Sequence, residues 1–179
     1  YLTLLLFSTL KLDPLVHRMD IATTFLRAGR YDEALASISR VVEVDPHFAM
    51  AHVTLGWAHL MKGMPDQGIA ALQKAVSLSP DSTMYLAQLG QAYAMVGQRE
   101  RAVELLRRLE ELSRQRYVSP YHMAYVHTGL GQHDRAMDWL ERAYEERAGG
   151  VFGVKGSFLF TSLRGHPRFQ ALLGKMNLA

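Results

Sequence analysis

The sequence predicts an all-α protein, a solenoid of stacked antiparallel helix hairpins. Three observations carry that prediction. Gly29, Gly63, Gly97 and Gly131 stand 34 residues apart. Small residues recur in the same phase: Ala22, Gly56, Gly90 and Ala124 before each glycine, and Ala34, Gly68, Ala102 and Ala136 after it. Apolar residues then follow in step, Ile38, Leu72, Leu106 and Leu140, and three places later Val41, Ala75, Leu109 and Ala143. Self-similarity at a fixed period of this size marks a repeat architecture, and spacings of three and four residues mark helix faces.

Residues 1–14, YLTLLLFSTLKLDP, read as the second helix of a truncated preceding repeat that ends at Asp13-Pro14. With the start at Tyr1 instead of Met, this suggests a piece of a larger protein. The segment is almost wholly apolar, so it is expected to pack on the first full repeat and to offer residues 1–12 for self-association. Four repeats follow over 15–148, bounded near 15–48, 49–82, 83–116 and 117–150. First helices are predicted near 15–28, 49–62, 83–96 and 119–129, and second helices near 31–44, 65–78, 99–112 and 133–146.

Each in-phase glycine ends a first helix, where a left-handed residue is needed. Asp32, Asp66, Glu100 and Asp134 then fall in the first turn of a second helix, where the helix dipole favours negative charge. Pro46 and Pro80 close the first two repeats because proline cannot continue a helix. One hairpin cannot bury its apolar face alone, so the four must stack. After Ala148-Gly149-Gly150, residues 151–179 are predicted to form a turn-rich segment, VFGVKGSFLF, and a capping helix. That helix opens at Pro167 and gathers Phe169, Leu172, Leu173 and Met176 on one face.

Composition narrows the function classes. The chain has 179 residues, 49% hydrophobic and 21% charged, the balance of a globular domain and not of a disordered one. It has no cysteine, so it has neither disulfides nor thiolate metal sites. A net charge of +3 does not argue for nucleic acid. The apolar run Leu2–Leu10 is far shorter than the roughly 20 residues of a membrane helix and lacks the flanks of a signal peptide. No membrane insertion is expected. The cytoplasm is the expected compartment, although lack of cysteine suits the periplasm equally.

The segments LGWAHLMKGMPDQGIAALQKAVSLSP and LGQAYAMVGQRERAVELLRRLEEL resemble the tetratricopeptide repeat family. The resemblance covers residues 15–148, about three quarters of the chain. It implies a right-handed α-α superhelix with a concave groove lined by the first helices. Departures are local: His59 and His127 stand where the family usually has tyrosine, as at Tyr93, and Arg114 replaces the closing proline of repeat three. WLERAYEER and SLRGHPRFQALLGKM further resemble the closing segment of such repeats in large bacterial signalling proteins. There the array follows a winged-helix, kinase, cyclase or TolB-like effector. The aspartate–proline usual before the tail phenylalanine is replaced here by Ser157-Phe158-Leu159-Phe160.

Mapped by phase, the groove would take Met19, Thr23 and Arg27, with Val16 and Leu26, from repeat one. Met50, Val53, Trp57 and Met61, with Leu60, come from repeat two. Met84, Gln91 and Met95, with Ala87 and Ala94, come from repeat three, and Tyr121 and Tyr125, with Val118 and Thr128, from repeat four. A surface this rich in methionine and aromatics suits an apolar or amphipathic protein segment. The same residues could instead be buried between neighbouring helices, or be covered by the chain's own tail. Some relatives grip a terminal carboxylate with lysine and asparagine on this face. Here the matching positions hold Met19, Thr23, Val53, Trp57, Ala87 and Gln91, so no such clamp is expected.

Nothing points to catalysis. His52 and His59 are seven apart and His122 and His127 five apart, whereas a zinc pair on a helix needs about four. No metal site and no cofactor are expected. There is no G-x-S-x-G motif and no phosphate loop. Arg99, Arg101, Arg107, Arg108, Arg114 and Arg116 alternate with Glu100, Glu104, Glu110 and Glu111, which predicts a solvated face with i,i+4 pairs and no nucleic-acid surface. The expected function is therefore a non-catalytic protein-binding module in the C-terminal regulatory part of a larger bacterial protein. The alternative is a self-assembly scaffold built through apolar terminal helices.

Overall fold

The computed structural model describes residues 14–178. The expected helix and its self-associating surface over residues 1–12 therefore lie outside the described residues. Among the described residues nine α-helices run in order: α1 (Pro14–Arg27), α2 (Tyr31–Val44), α3 (Ala49–Met61), α4 (Pro65–Leu78), α5 (Thr83–Met95), α6 (Arg99–Ser113), α7 (Pro120–Gly129), α8 (His133–Glu145) and α9 (Pro167–Lys175). Two 3₁₀ turns, Val151–Gly156 and Phe158–Leu163, separate α8 from α9. The eight repeat helices end within one residue of the bounds expected from periodicity.

The inter-helix turns repeat one hydrogen-bond pattern. Gly29, Gly63, Gly97 and Gly131 all have φ between 71° and 83°. The residue after each donates its N–H to a carbonyl five places back: Arg30 to Phe25, Met64 to His59, Gln98 to Tyr93 and Gln132 to His127, at 2.8–2.9 Å. This closure satisfies helix-end carbonyls and reverses the chain within three residues.

The small residues set how closely the helices pack. Gly56 on α3 faces Gly68 on α4, and a Cβ added to Gly56 would lie 2.9 Å from the Gly68 carbonyl oxygen. Ala22, Ala34, Ala102, Ala124 and Ala136 are fully buried at the equivalent contacts. Successive repeats then stack, α3 on α1 and α2, α5 on α4, and α7 on α5, around a main core and a smaller cluster of Ala22, Ile38, Val41 and Ala51. Ile38, Leu72, Leu86, Leu109 and Leu140 are fully buried in that stack.

The arginines of α6 and its exit behave differently from expectation. Among the described residues they form no i,i+4 pairs with Glu100, Glu104, Glu110 or Glu111. Arg99 donates to the Leu130 carbonyl at 3.1 Å, Arg108 to that of Pro80 at 3.4 Å, and Arg116 to that of Asp81 at 2.6 Å. Carbonyls at helix ends and in turns lack partners of their own, and a long guanidinium stem reaches them across a repeat boundary.

Candidate functional site

The first helices α1, α3, α5 and α7 carry the inner face of the stack, and the segment after α8 crosses it. Gly150 makes the crossing possible. Its φ is +91°, and a Cβ there would sit 3.0 Å from the Tyr121 ring, so only glycine passes over that ring unstrained. The first 3₁₀ turn buries Val151 and Val154 completely. Ser157 then caps the second turn, its hydroxyl accepting from the Leu159 N–H at 3.3 Å.

Three consecutive tail residues seat themselves on the groove. Phe158 meets Trp57 edge to face, centroids 5.6 Å apart. The Leu159 carbonyl accepts from Gln91 Nε2 at 2.6 Å. Phe160, fully buried, stacks on Tyr125 at 5.2 Å and leans against Tyr121 at 5.3 Å. Burial pushes both phenols upward, Tyr125 the further, so they stay neutral at physiological pH. Below the tail, Trp57 Nε1 donates to Gln88 Oε1 at 2.6 Å, which holds the indole across the α3–α5 boundary.

The cap helix closes the end. Phe169, Leu172 and Leu173 are buried against the last repeat, while Met176 is half-buried. Arg168 bridges Asp138 at 2.7 Å and Glu141 at 2.8 Å on α8. The Tyr144 hydroxyl donates to the Lys175 carbonyl at 3.1 Å.

The twelve residues singled out by phase thus divide. Trp57, Gln91, Tyr121 and Tyr125 touch the chain's own tail. Met19, Thr23, Met50 and Val53 line a cavity of about 380 Å³ on the α1 side of Phe158 and Leu159. Met61 and Met95 line a second cavity of about 830 Å³, and Arg27 borders both. Met84 is half-buried and lines neither. Thr23 uses its hydroxyl on the Met19 carbonyl of its own helix, at 2.9 Å.

The sequence offered the tail as a cover for the groove without naming the residues; Phe158, Leu159 and Phe160 take that place, and Arg164 and His133 join the lining of the larger cavity. The available signal was apolar density in a segment without helical period. The histidines are dispersed into separate contacts: His52 with the Pro46 carbonyl at 2.9 Å, His122 with Thr83 Oγ1 at 2.9 Å, and His127 with Gln132 Oε1 at 2.6 Å. Among the described residues no three His, Asp or Glu side chains are grouped to hold a metal ion. No described helix is long and apolar enough to cross a membrane.

Sequence models of the tetratricopeptide repeat match residues 19–83, 83–108 and 121–148, together about two thirds of the chain. Among solved structures, PilW, a widely conserved type IV pilus biogenesis factor, aligns with TM-score 0.58 at 17% identity, over 94% of this chain and 80% of PilW. A double mutant of MamA aligns with TM-score 0.51 at 16% identity, over 92% and 93% of the two chains. Another MamA structure aligns at 24% identity and TM-score 0.49, over 91% and 92%. At these identities the likeness is one of fold. No curated protein matches the chain.

Proposed function

Because the chain belongs to the tetratricopeptide-repeat family, we propose that it is a non-catalytic binding module that holds a protein segment in the concave groove between α1 and its own tail. One observation carries the reading. The tail already occupies the other half of that groove as a bound peptide would, with aromatic side chains in apolar seats and one backbone carbonyl on Gln91. The half that no described residue fills keeps Met19, Met50 and Met61, side chains that adapt to varied apolar partners. The resemblance of the tail to bacterial signalling proteins adds a regulatory role in a larger cytoplasmic protein, which the upstream reading frame would check.

A photo-crosslinking residue at Met61, compared with one at the exposed Val44 on the outer face, tests the groove. One partner should be captured from Met61 and not from Val44. Equal capture at both, or none at Met61, would count against the reading. A second reading, self-assembly, is favoured by Val16 and Ile21, which leave 39% and 36% of their surface exposed on α1. A monomer whose sedimentation does not change with concentration removes it.

A further inference from the structure

We propose that the larger cavity takes an acidic amphipathic peptide, with carboxylates on Arg27 and Arg164 and apolar side chains against Met61 and Met95. This rests on the groove reading and names the chemistry of its partner. The cavity, about 830 Å³, lies within the size range of ligand clefts, about 300–1,000 Å³. Its cationic and acidic lining is one-sided. Arg27, Arg164 and His133 border it, and no aspartate or glutamate does.

Several other arginines are already engaged within the fold, and these two are not. Arg30, Arg116, Arg142 and Arg168 are held by carboxylates, and Arg99 and Arg108 by carbonyls. The guanidinium groups of Arg27 and Arg164 have no hydrogen-bond or ion-pair partner among the described residues. They come from opposite ends of the chain, one from α1 and one from the turn before α9, and the fold brings both to one cavity. A guanidinium presents a planar fork that fits a carboxylate through two parallel hydrogen bonds.

The remaining walls select what carries those carboxylates. Leu26, Trp57, Met61, Met95 and Phe158 are apolar, and Met95 leaves 51% of its surface exposed. A free small anion would leave these walls wet. A nucleic-acid strand needs a run of cations along its backbone, and two permanent charges do not supply one. A segment with alternating acidic and apolar side chains satisfies both. The tail wall is held in place by the Gln91–Leu159 hydrogen bond and the buried Phe160, so binding requires no displacement of the tail.

The test uses the full chain and short end-blocked peptides that alternate leucine with glutamate, glutamine or lysine, followed by fluorescence anisotropy. The Glu–Leu peptide should bind saturably and about tenfold or more tighter than Gln–Leu, the size of one charge-assisted hydrogen bond. The variant carrying both Arg27→Glu and Arg164→Glu should reverse the order in favour of Lys–Leu. Arg107→Glu with Arg135→Glu, exposed elsewhere, should leave it unchanged. All four arginines are exposed, so circular dichroism should be unaltered. Equal binding of Glu–Leu and Gln–Leu, or indifference to reversal at Arg27 and Arg164, overturns the acidic preference. If that equal binding is lost in Met61→Glu, the groove reading stands without it. If no peptide binds, both readings fall.

Discussion

The first and fourth repeats start from the same helix pattern and end in opposite environments. Among the described side chains of α1, only Ala22 and Leu26 are buried. In α7, Tyr121 and every residue from Met123 to Thr128 are buried. The difference lies in what surrounds each helix. Helix α7 has α5 on one side, α8 behind it and Phe160 of the tail across its inner face. Among the described residues helix α1 packs on α2 and α3, and Val16 and Ile21 stay partly exposed. Position in the stack, more than the repeat pattern, decides which apolar residues are core and which are surface. In a solenoid each repeat is stabilised only by its immediate neighbours, so its two ends need not be equally firm.

The contrast is broken most directly at Phe160. Phe160→Ala should lower unfolding free energy by about 3–5 kcal/mol, because a fully buried ring leaves a cavity between Tyr121 and Tyr125. Val16→Ala at the open end should change it by less than about 0.5 kcal/mol. Denaturant midpoints of the two variants measure the difference. Comparable losses would show the two ends to be energetically alike.

Acid should sharpen the contrast. Burial lowers the His122 pKa from 6.5 to about 4, and His122 pairs with Thr83 across the boundary between repeats three and four. A histidine held neutral by folding stabilises fully above its unfolded pKa. That contribution is lost as pH falls from about 6.5 to about 4, because the unfolded chain takes the proton first. The loss should reach on the order of 2–3 kcal/mol, and His59 and His127, also lowered chiefly by burial, act in the same direction. Melting temperature should therefore fall steeply over that window in the natural protein and less steeply in His122→Gln. An identical slope in both would assign the acid sensitivity elsewhere.

The smallest effect is expected at the cap. Arg168→Ala removes contacts to Asp138 and Glu141, but these groups are largely solvated. The loss should be under about 1 kcal/mol and should shrink further in high salt. A larger, salt-independent loss would mean that Arg168 also anchors α9 by packing of its stem.

Much of the architecture was legible in residue types and spacing. The glycine turns and the helix bounds involve residues close in the chain, whose pattern repeats four times and so reinforces itself. Helical phase likewise places Met19, Trp57, Gln91 and Tyr125 in register along the first helices. Which part of that face stays open was not legible. It depends on contacts such as Gln91 with Leu159, 68 residues apart, and Trp57 with Phe158.

The arginines of α6 show the same division on the surface. Their alternation with glutamate resembled a self-contained pattern of pairs, and the carbonyls of neighbouring turns proved the better partners once the repeats were stacked. Residues 151–163 have no helical period to announce a place, and their apolar side chains could have packed on any uncovered face. Local, repeated preferences therefore set the hairpins and their order. The path of the tail, the division of the groove into two cavities and the placing of Arg27 and Arg164 on one of them arose from long-range packing, in which one chain segment competes for a surface that another has already formed.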